Sequence, residues 1–186
     1  DYRKNGALHH LFPFSLMASA LLSFKKSEMA PEDLLHRFAF LSHLFEHEFI
    51  WRPDLSPEDS GRKAIQEMEK MGFLSMTETK GILLFPEGIE KLEVFREGVA
   101  NFVESYFAVL RALKRMAGAC LSEKDLLRQI LQRMKRIYMM EGAIRAESLS
   151  RVNVENALSL FRQEKVFSFR QASQEKEGER PASLLE

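Results

Sequence analysis

The feature that most constrains the fold is the stretch that follows Pro86. Leu92, Phe95, Val99, Phe102, Tyr106, Leu110 and Leu113 recur at intervals of three and four, the spacing that stacks side chains on one face of an α-helix. Unbroken, that stripe predicts a helix of about seven turns or more. Pro86 fits its first turn, where the missing amide hydrogen has no helical partner to lose. A helix this long cannot bury its own stripe, so other helices must lie along it. The chain has 186 residues, enough for one domain with a sizeable core.

The companions are legible by the same rules. Leu34, Phe38, Leu41, Phe45 and Phe49 predict an amphipathic helix over residues 31–50, with Pro31 in its first turn and Glu32 and Asp33 set against the helix dipole. Ser56 caps the next helix, Pro57 takes its first position and Asp59 stands where a capping-box acid belongs. Gly72 stops that helix after Met71. Leu74-Ser75-Met76-Thr77 and Ile82-Leu83-Leu84-Phe85 then flank a polar turn, the pattern of a hairpin. Ser122 caps a further helix whose apolar face is Leu127, Ile130, Leu131, Met134, Ile137 and Tyr138, closed by Gly142. A last helix spans 152–163, and Val166-Phe167-Ser168-Phe169 reads as a short strand. The expected fold is mainly α: a multi-helix domain with a small β-hairpin and winged-helix-like parts. Residues 31–85 run helix, helix, hairpin, and 122–169 repeat that order with a strand in place of the hairpin. The domain is expected over 1–170, with sub-units 1–117 and 118–170, and the polar residues 171–186 as a disordered tail.

Residues 5–24 contain no Asp, Glu, Lys or Arg. His9, His10, Pro13 and three serines interrupt the segment, which falls short of the ~20 mostly apolar residues a spanning helix needs. It reads as a buried or interfacial helix in which Pro13 marks a bend or a start. No secretory signal is recognisable. The 27 Lys and Arg balance 27 Asp and Glu, so no global attraction to nucleic acid or anionic lipid follows. A single cysteine, Cys120, excludes an internal disulfide and a cysteine-built zinc site.

Candidate chemistry is sparse. His43 and His47 are four apart, with His36 near the same face, but Leu44 follows the first where a zinc protease carries Glu. They read as a solvated or packed face, and no metal centre or cofactor is expected. The nine glycines form no phosphate loop, and no serine sits in a nucleophile elbow. The helix after Ser56 carries Arg62, Lys63 and Lys70 against Glu58, Asp59, Glu67 and Glu69, a poor balance for meeting phosphates. The helix after Ser122 is basic, and Arg128, Arg133, Lys135 and Arg136 make its candidate basic face.

Several weak motifs fall in a particular order. Tyr2-Arg3-Lys4-Asn5, then Leu8, then Phe12-Pro13-Phe14-Ser15-Leu16-Met17-Ala18 open the chain. Phe40-Leu41 through Glu48-Phe49 follow, then Gly72-Phe73-Leu74 and the long helix, then Met134-Lys135-Arg136, Gly142, Glu147 and Asn156-Ala157-Leu158. This order resembles the C-terminal region of the membrane glycerol-3-phosphate acyltransferases, bacterial and mitochondrial branch, with dihydroxyacetone-phosphate acyltransferases as relatives. Phe85-Pro86-Glu87-Gly88-Ile89-Glu90 also resembles the family's F-P-E-G-x-R block, but Glu90 replaces the arginine that binds the acceptor phosphate. The family's His-x-x-x-x-Asp base pair is absent: five residues after the histidines stand Phe14, Ser15, Leu41, Glu48 and Arg52.

The resemblance implies a non-catalytic structural or regulatory domain. Its parent would move an acyl chain from acyl-CoA or acyl-carrier protein to the sn-1 hydroxyl in phospholipid synthesis. It also implies two partners: the catalytic domain of the same polypeptide, and a membrane surface met peripherally on the cytoplasmic face. Phe12, Phe14, Leu16 and Leu21 are the candidate docking residues, because the apolar residues of 7–24 fall on too many sides of a helix for one small domain to cover. The competing class is a winged-helix module that binds nucleic acid or protein; nucleic acid is not the expected partner.

Overall fold

The helix that begins at Pro86 is the longest element and runs Pro86–Arg115. In the computed structural model, residues 2–24, 28–49, 51, 54–78, 81–119, 121–142 and 144–168 are described, the side chains of 2–10 and 141 excepted. The elements are α1 (Tyr2–Leu22), β1 (Glu28–Met29), α2 (Pro31–Leu44), α3 (Pro57–Lys70), β2 (Leu74–Met76), β3 (Ile82–Leu84), α4 (Pro86–Arg115), α5 (Glu123–Glu141), a short 3-10 helix (Ala146–Leu149) and α6 (Arg151–Gln163). The mainly helical class with a small antiparallel sheet is as the sequence predicts. The expected tail, 171–186, lies outside the described residues, as do Ile50, Arg52, Cys120 and Phe169.

Local chemistry explains most boundaries. The Ser56 hydroxyl accepts from the Asp59 amide at 3.1 Å, and Ser122 does the same for Asp125 at 3.1 Å. Ser150 caps α6 through Asn153. Gly142 ends α5 in the left-handed region at φ 57°, a conformation glycine adopts without strain.

The sheet has the order β1-β3-β2, all antiparallel. β1 was not foreseen: Met29 pairs with Ile82, and Glu28 with Leu83. Two residues show no alternation for a sequence reading to detect. With β1 in place, α1-β1-α2-α3-β2-β3 has the element order of a winged helix.

Four expectations need correction. α2 ends at Leu44, not near residue 50; Phe45 leaves helical geometry at φ −111° and residues 45–48 form turns. The helical spacing of Phe45 and Phe49 persists because both still reach the core from the turn. Pro13 does not start a helix, since α1 runs through it. No strand forms over residues 166–168, where Val166 is a bend. Along α4, Leu110 is 38 % exposed while Ser105, Ala108, Val109 and Ala112 are buried. α1 covers the first half of α4 and the α5–α6 end covers the second, so the buried stripe rotates between them. The same rotation on α5 buries Leu126, Ile130 and Met134 and leaves Tyr138 38 % exposed.

One core joins these parts, from Phe12 and Leu16 through Phe38, Met68 and Leu92 to Ile130 and Phe161. Phe45 is its aromatic centre, 5.1 Å from Tyr106 and 6.3 Å from Phe102 between ring centroids. Phe12 stacks on Phe49 and meets Trp51 edge-on.

The F-P-E-G string has a structural account here. Phe85 is the N-cap of α4, Pro86 its first residue, and Glu87 its first-turn acid. Gly88 is buried, and a Cβ there would collide with the Phe73 backbone carbonyl. That close approach seats the helix start on the hairpin. Gly88→Ala is expected to cost about 1–3 kcal/mol, read as a lower urea midpoint with an unchanged denaturant slope, whereas Glu87→Ala should cost under about 1 kcal/mol.

Candidate functional site

Three helices frame a half-open groove of about 660 Å³. α1 and the turn after it supply its floor through Ser19, Ala20 and Ser23. α2 supplies one wall with Arg37, Phe40 and Leu41, and α4 the other with Val99, Ala100 and Val103. Phe40 is 63 % exposed and Val103 44 %. Phe107, one turn beyond Val103 on the same α4 face, is 60 % exposed. Surfaces of this kind, concave and apolar with few polar groups at the edge, are where small ligands bind.

The charged rim is largely self-neutralised. Arg96 pairs with Glu93, and Arg145 pairs with both Glu97 and Glu104. Glu104 also accepts from the Arg145 backbone N–H at 2.7 Å and from the Ser148 hydroxyl at 2.6 Å. That carboxylate therefore ties the α5–α6 connection to α4. Arg37 is different. Its guanidinium donates to Ser23 Oγ and lies 3.8 Å over the Phe24 ring, and among the described residues no carboxylate pairs with it.

A second polar cluster sits where the turn after α2 meets Tyr106 of α4 and Asn156 of α6. Burial pushes the Glu48 carboxyl above the usual carboxylate range, against the opposing pull of Asn156, Tyr106 and His47. The Tyr106 hydroxyl is pushed up by burial first and by the Glu48 charge second. Asn156 and Tyr106 lie close to Glu48, yet Glu48 Oε1 and Tyr106 Oη are buried without a hydrogen bond of good geometry. Asn156 Nδ2 donates instead to the His47 carbonyl at 3.2 Å. On the surface beside it, His43 joins Glu164 at 3.0 Å and Glu46 at 2.9 Å. The Glu164 hydrogen bond is the main cause that raises the His43 pKa.

The predicted site residues divide cleanly. Phe12, Leu16 and Leu21 are 4 %, 0 % and 0 % exposed. These three side chains fill this chain's own core, and Phe14, half-buried, packs against Phe95 at 6.0 Å. A docking face at Phe12, Leu16 and Leu21 is thereby corrected: α2, α3 and α4 together cover more sides of α1 than a single stripe would suggest. Arg128, Arg133, Lys135 and Arg136 are all exposed on α5. Arg128 pairs with Asp125 at 2.7 Å; among the described residues the other three have no carboxylate partner. They flank Met139 and Met140, 70 % and 78 % exposed. His43 and His47 do not share a helix, because α2 ends between them. Among the described residues no cluster of three or more metal-ligating side chains forms. The groove went unseen in the sequence because its lining comes from three separated segments with no common spacing.

Fold and site define a winged-helix-like helical domain with an apolar groove and a basic helix end. The chain matches the family model described as the glycerol-3-phosphate acyltransferase C-terminal region over residues 1–170. It belongs to that family, as its ordered weak motifs indicated, and is an acyltransferase-related domain of phospholipid biosynthesis. No curated protein matches the chain.

The Glu48 environment generates a test. Its folded-state pKa is raised from 4.5, so protonation favours the fold, and that contribution is lost as pH rises from there through the folded value. Glu48→Gln should unfold at a higher temperature than wild type near pH ~7, and the difference should vanish on acidification below the ordinary carboxylate range. An equal difference at both pH values would show that the charge is not the cause.

Proposed function

We propose that this chain is the non-catalytic part of a glycerol-3-phosphate 1-O-acyltransferase and that it rests the enzyme against an anionic membrane surface. The parent takes its acyl chain from acyl-CoA or acyl-carrier protein. The observation that carries the membrane part is the end of α5. Arg133, Lys135 and Arg136 lack carboxylate partners among the described residues, and two methionines stand far out of the core beside them. Cations with an exposed apolar group match the two layers of a lipid surface. Among the described residues no helix is long and apolar enough to cross a membrane; the proposed contact is a peripheral one, on the cytoplasmic face.

The non-catalytic part is supported by where polar groups stand. Glu90 is exposed at the position where the family's block carries arginine. His43 is engaged by two surface carboxylates. Gly88 has a packing role, so the string around it needs no chemistry to explain it. The winged-helix order favours a second reading, duplex DNA binding through α3. Its four acids against three bases oppose that reading.

The test is sedimentation of the chain with vesicles. Phosphatidylserine vesicles should retain it and phosphatidylcholine vesicles should not. Each cation near an anionic surface is worth about 1 kcal/mol, so Lys135→Glu with Arg136→Glu should lower retention more than about tenfold. Retention that ignores both lipid charge and these changes defeats the membrane reading. Incubated with palmitoyl-CoA and glycerol 3-phosphate, the chain should release no CoA above a boiled control; turnover would defeat the non-catalytic reading.

A further inference from the structure

The groove between α1, α2 and α4 is separate from the α5 face and has its own chemistry. We propose that it binds a single-chain amphiphile: one unbranched aliphatic chain ending in an anion, either a carboxylate or a phosphate monoester.

Three observations converge. First, the volume of about 660 Å³ lies within the ~300–1,000 Å³ typical of small-molecule sites. Second, the surface is mostly apolar and several of its residues are small. Ala20 and Ala100 line the same slot as Leu41 and Val103, and small side chains suit a slender chain better than a helix with bulky side chains. Third, the rim is asymmetric in charge. Arg96 and Arg145 are matched by Glu93, Glu97 and Glu104. Arg37 is the rim cation that no carboxylate of the described residues matches, and only part of its five-donor guanidinium is engaged, by Ser23. An anionic end group is drawn to Arg37 and repelled by Glu97 and Glu104. The ligand is therefore oriented, with its chain over Ala20, Ala100 and Val103. The exposed ring of Phe40 lines the groove and adds apolar surface for a bound chain.

The probe is cis-parinarate, a fluorescent fatty acid, titrated into the chain below its aggregation concentration. Saturable binding of one molecule per chain is expected. Dodecanoate and 1-dodecanoyl lysophosphatidate are then added as competitors, with dodecanol as the uncharged control. Displacement by either anion supports the proposal, and the stronger competitor identifies the end group. Dodecanol should compete about tenfold less well. Arg37→Gln should weaken cis-parinarate about tenfold and leave the dodecanol constant unchanged. Ala100→Trp should fill the slot and abolish binding, with its thermal midpoint read alongside. If that variant is unfolded, Val103→Asp, at a position already 44 % exposed, gives the same readout.

Three results overturn the proposal. One is no saturable binding. Another is a folded Ala100→Trp that binds as wild type does. The third is an Arg37→Gln that leaves anion affinity unchanged. A chain that is dimeric until Ala100→Trp separates it, and that never binds the probe, assigns the groove to a second copy and likewise overturns it. The Lys135→Glu, Arg136→Glu variant should lose vesicles and keep cis-parinarate, so failure of the membrane reading and failure of this one are distinguishable.

Discussion

The fold depends on the enclosure of α1. Leu16, Met17 and Ala18 are consecutive and all buried. Successive residues on a helix point about 100° apart, so three in a row cannot face one neighbour. Cover must come from several sides, and α2, α3 and α4 provide it. Burying each large side chain contributes roughly 1.5–3 kcal/mol. That gain offsets the proline at position 13, which sits inside the helix and removes a hydrogen bond there. Because α1 packs on α2 and α3 as well as on α4, it also joins the winged-helix unit to α4. The groove is a by-product of the same arrangement: where α2 and α4 flank α1 without meeting, the floor is left open along Ser19, Ala20 and Ser23.

A second constraint acts at the other end of α4. Beyond the reach of α1, the helix must be covered by the α5–α6 end, whose connection is a short loop and a 3-10 turn. Glu104 secures it by accepting from the Arg145 amide, the Arg145 guanidinium and the Ser148 hydroxyl. Ser105 Oγ lies 2.8 Å from the buried Ser148 carbonyl, and Asn153 Nδ2 donates to the same hydroxyl at 3.4 Å. Buried polar groups at a helix junction need such partners, since an unmet one costs about 1–3 kcal/mol.

What was legible in the sequence follows from what is local. Caps at Ser56 and Ser122, the stop at Gly142 and the hairpin all depend on neighbours within a few residues, and each was readable. The length of α4 was readable because its period persists. Which face it buries was only half readable. Leu110 continues the period yet points outward, since the covering partner changes from α1 to α6 along the helix. β1 is too short to carry a period, and its pairing with β3 spans more than fifty residues. The enclosure of α1 is hidden for the same reason. Its apolar residues are plain in the sequence, but how many helices surround them is not a local property. The basic end of α5 was visible as composition; that its methionines project outward was not.

The family likeness can be understood in the same terms. It rests on several weak motifs, and in the structure their residues hold elements together. Phe49 stacks on Phe12 and meets Phe102 edge-on at 5.0 Å. Asn156 grips the His47 carbonyl and stands beside Glu48. Gly142 ends α5 in a left-handed turn, and Phe73 offers its backbone to the start of α4. None of these roles requires a reacting group, and each links segments distant in sequence. Together these contacts specify an arrangement of helices. The order of the motifs is therefore informative where no single one is, and Glu48, a carboxylate held against its own desolvation in the turn after α2, stands where that turn meets Tyr106 of α4 and Asn156 of α6.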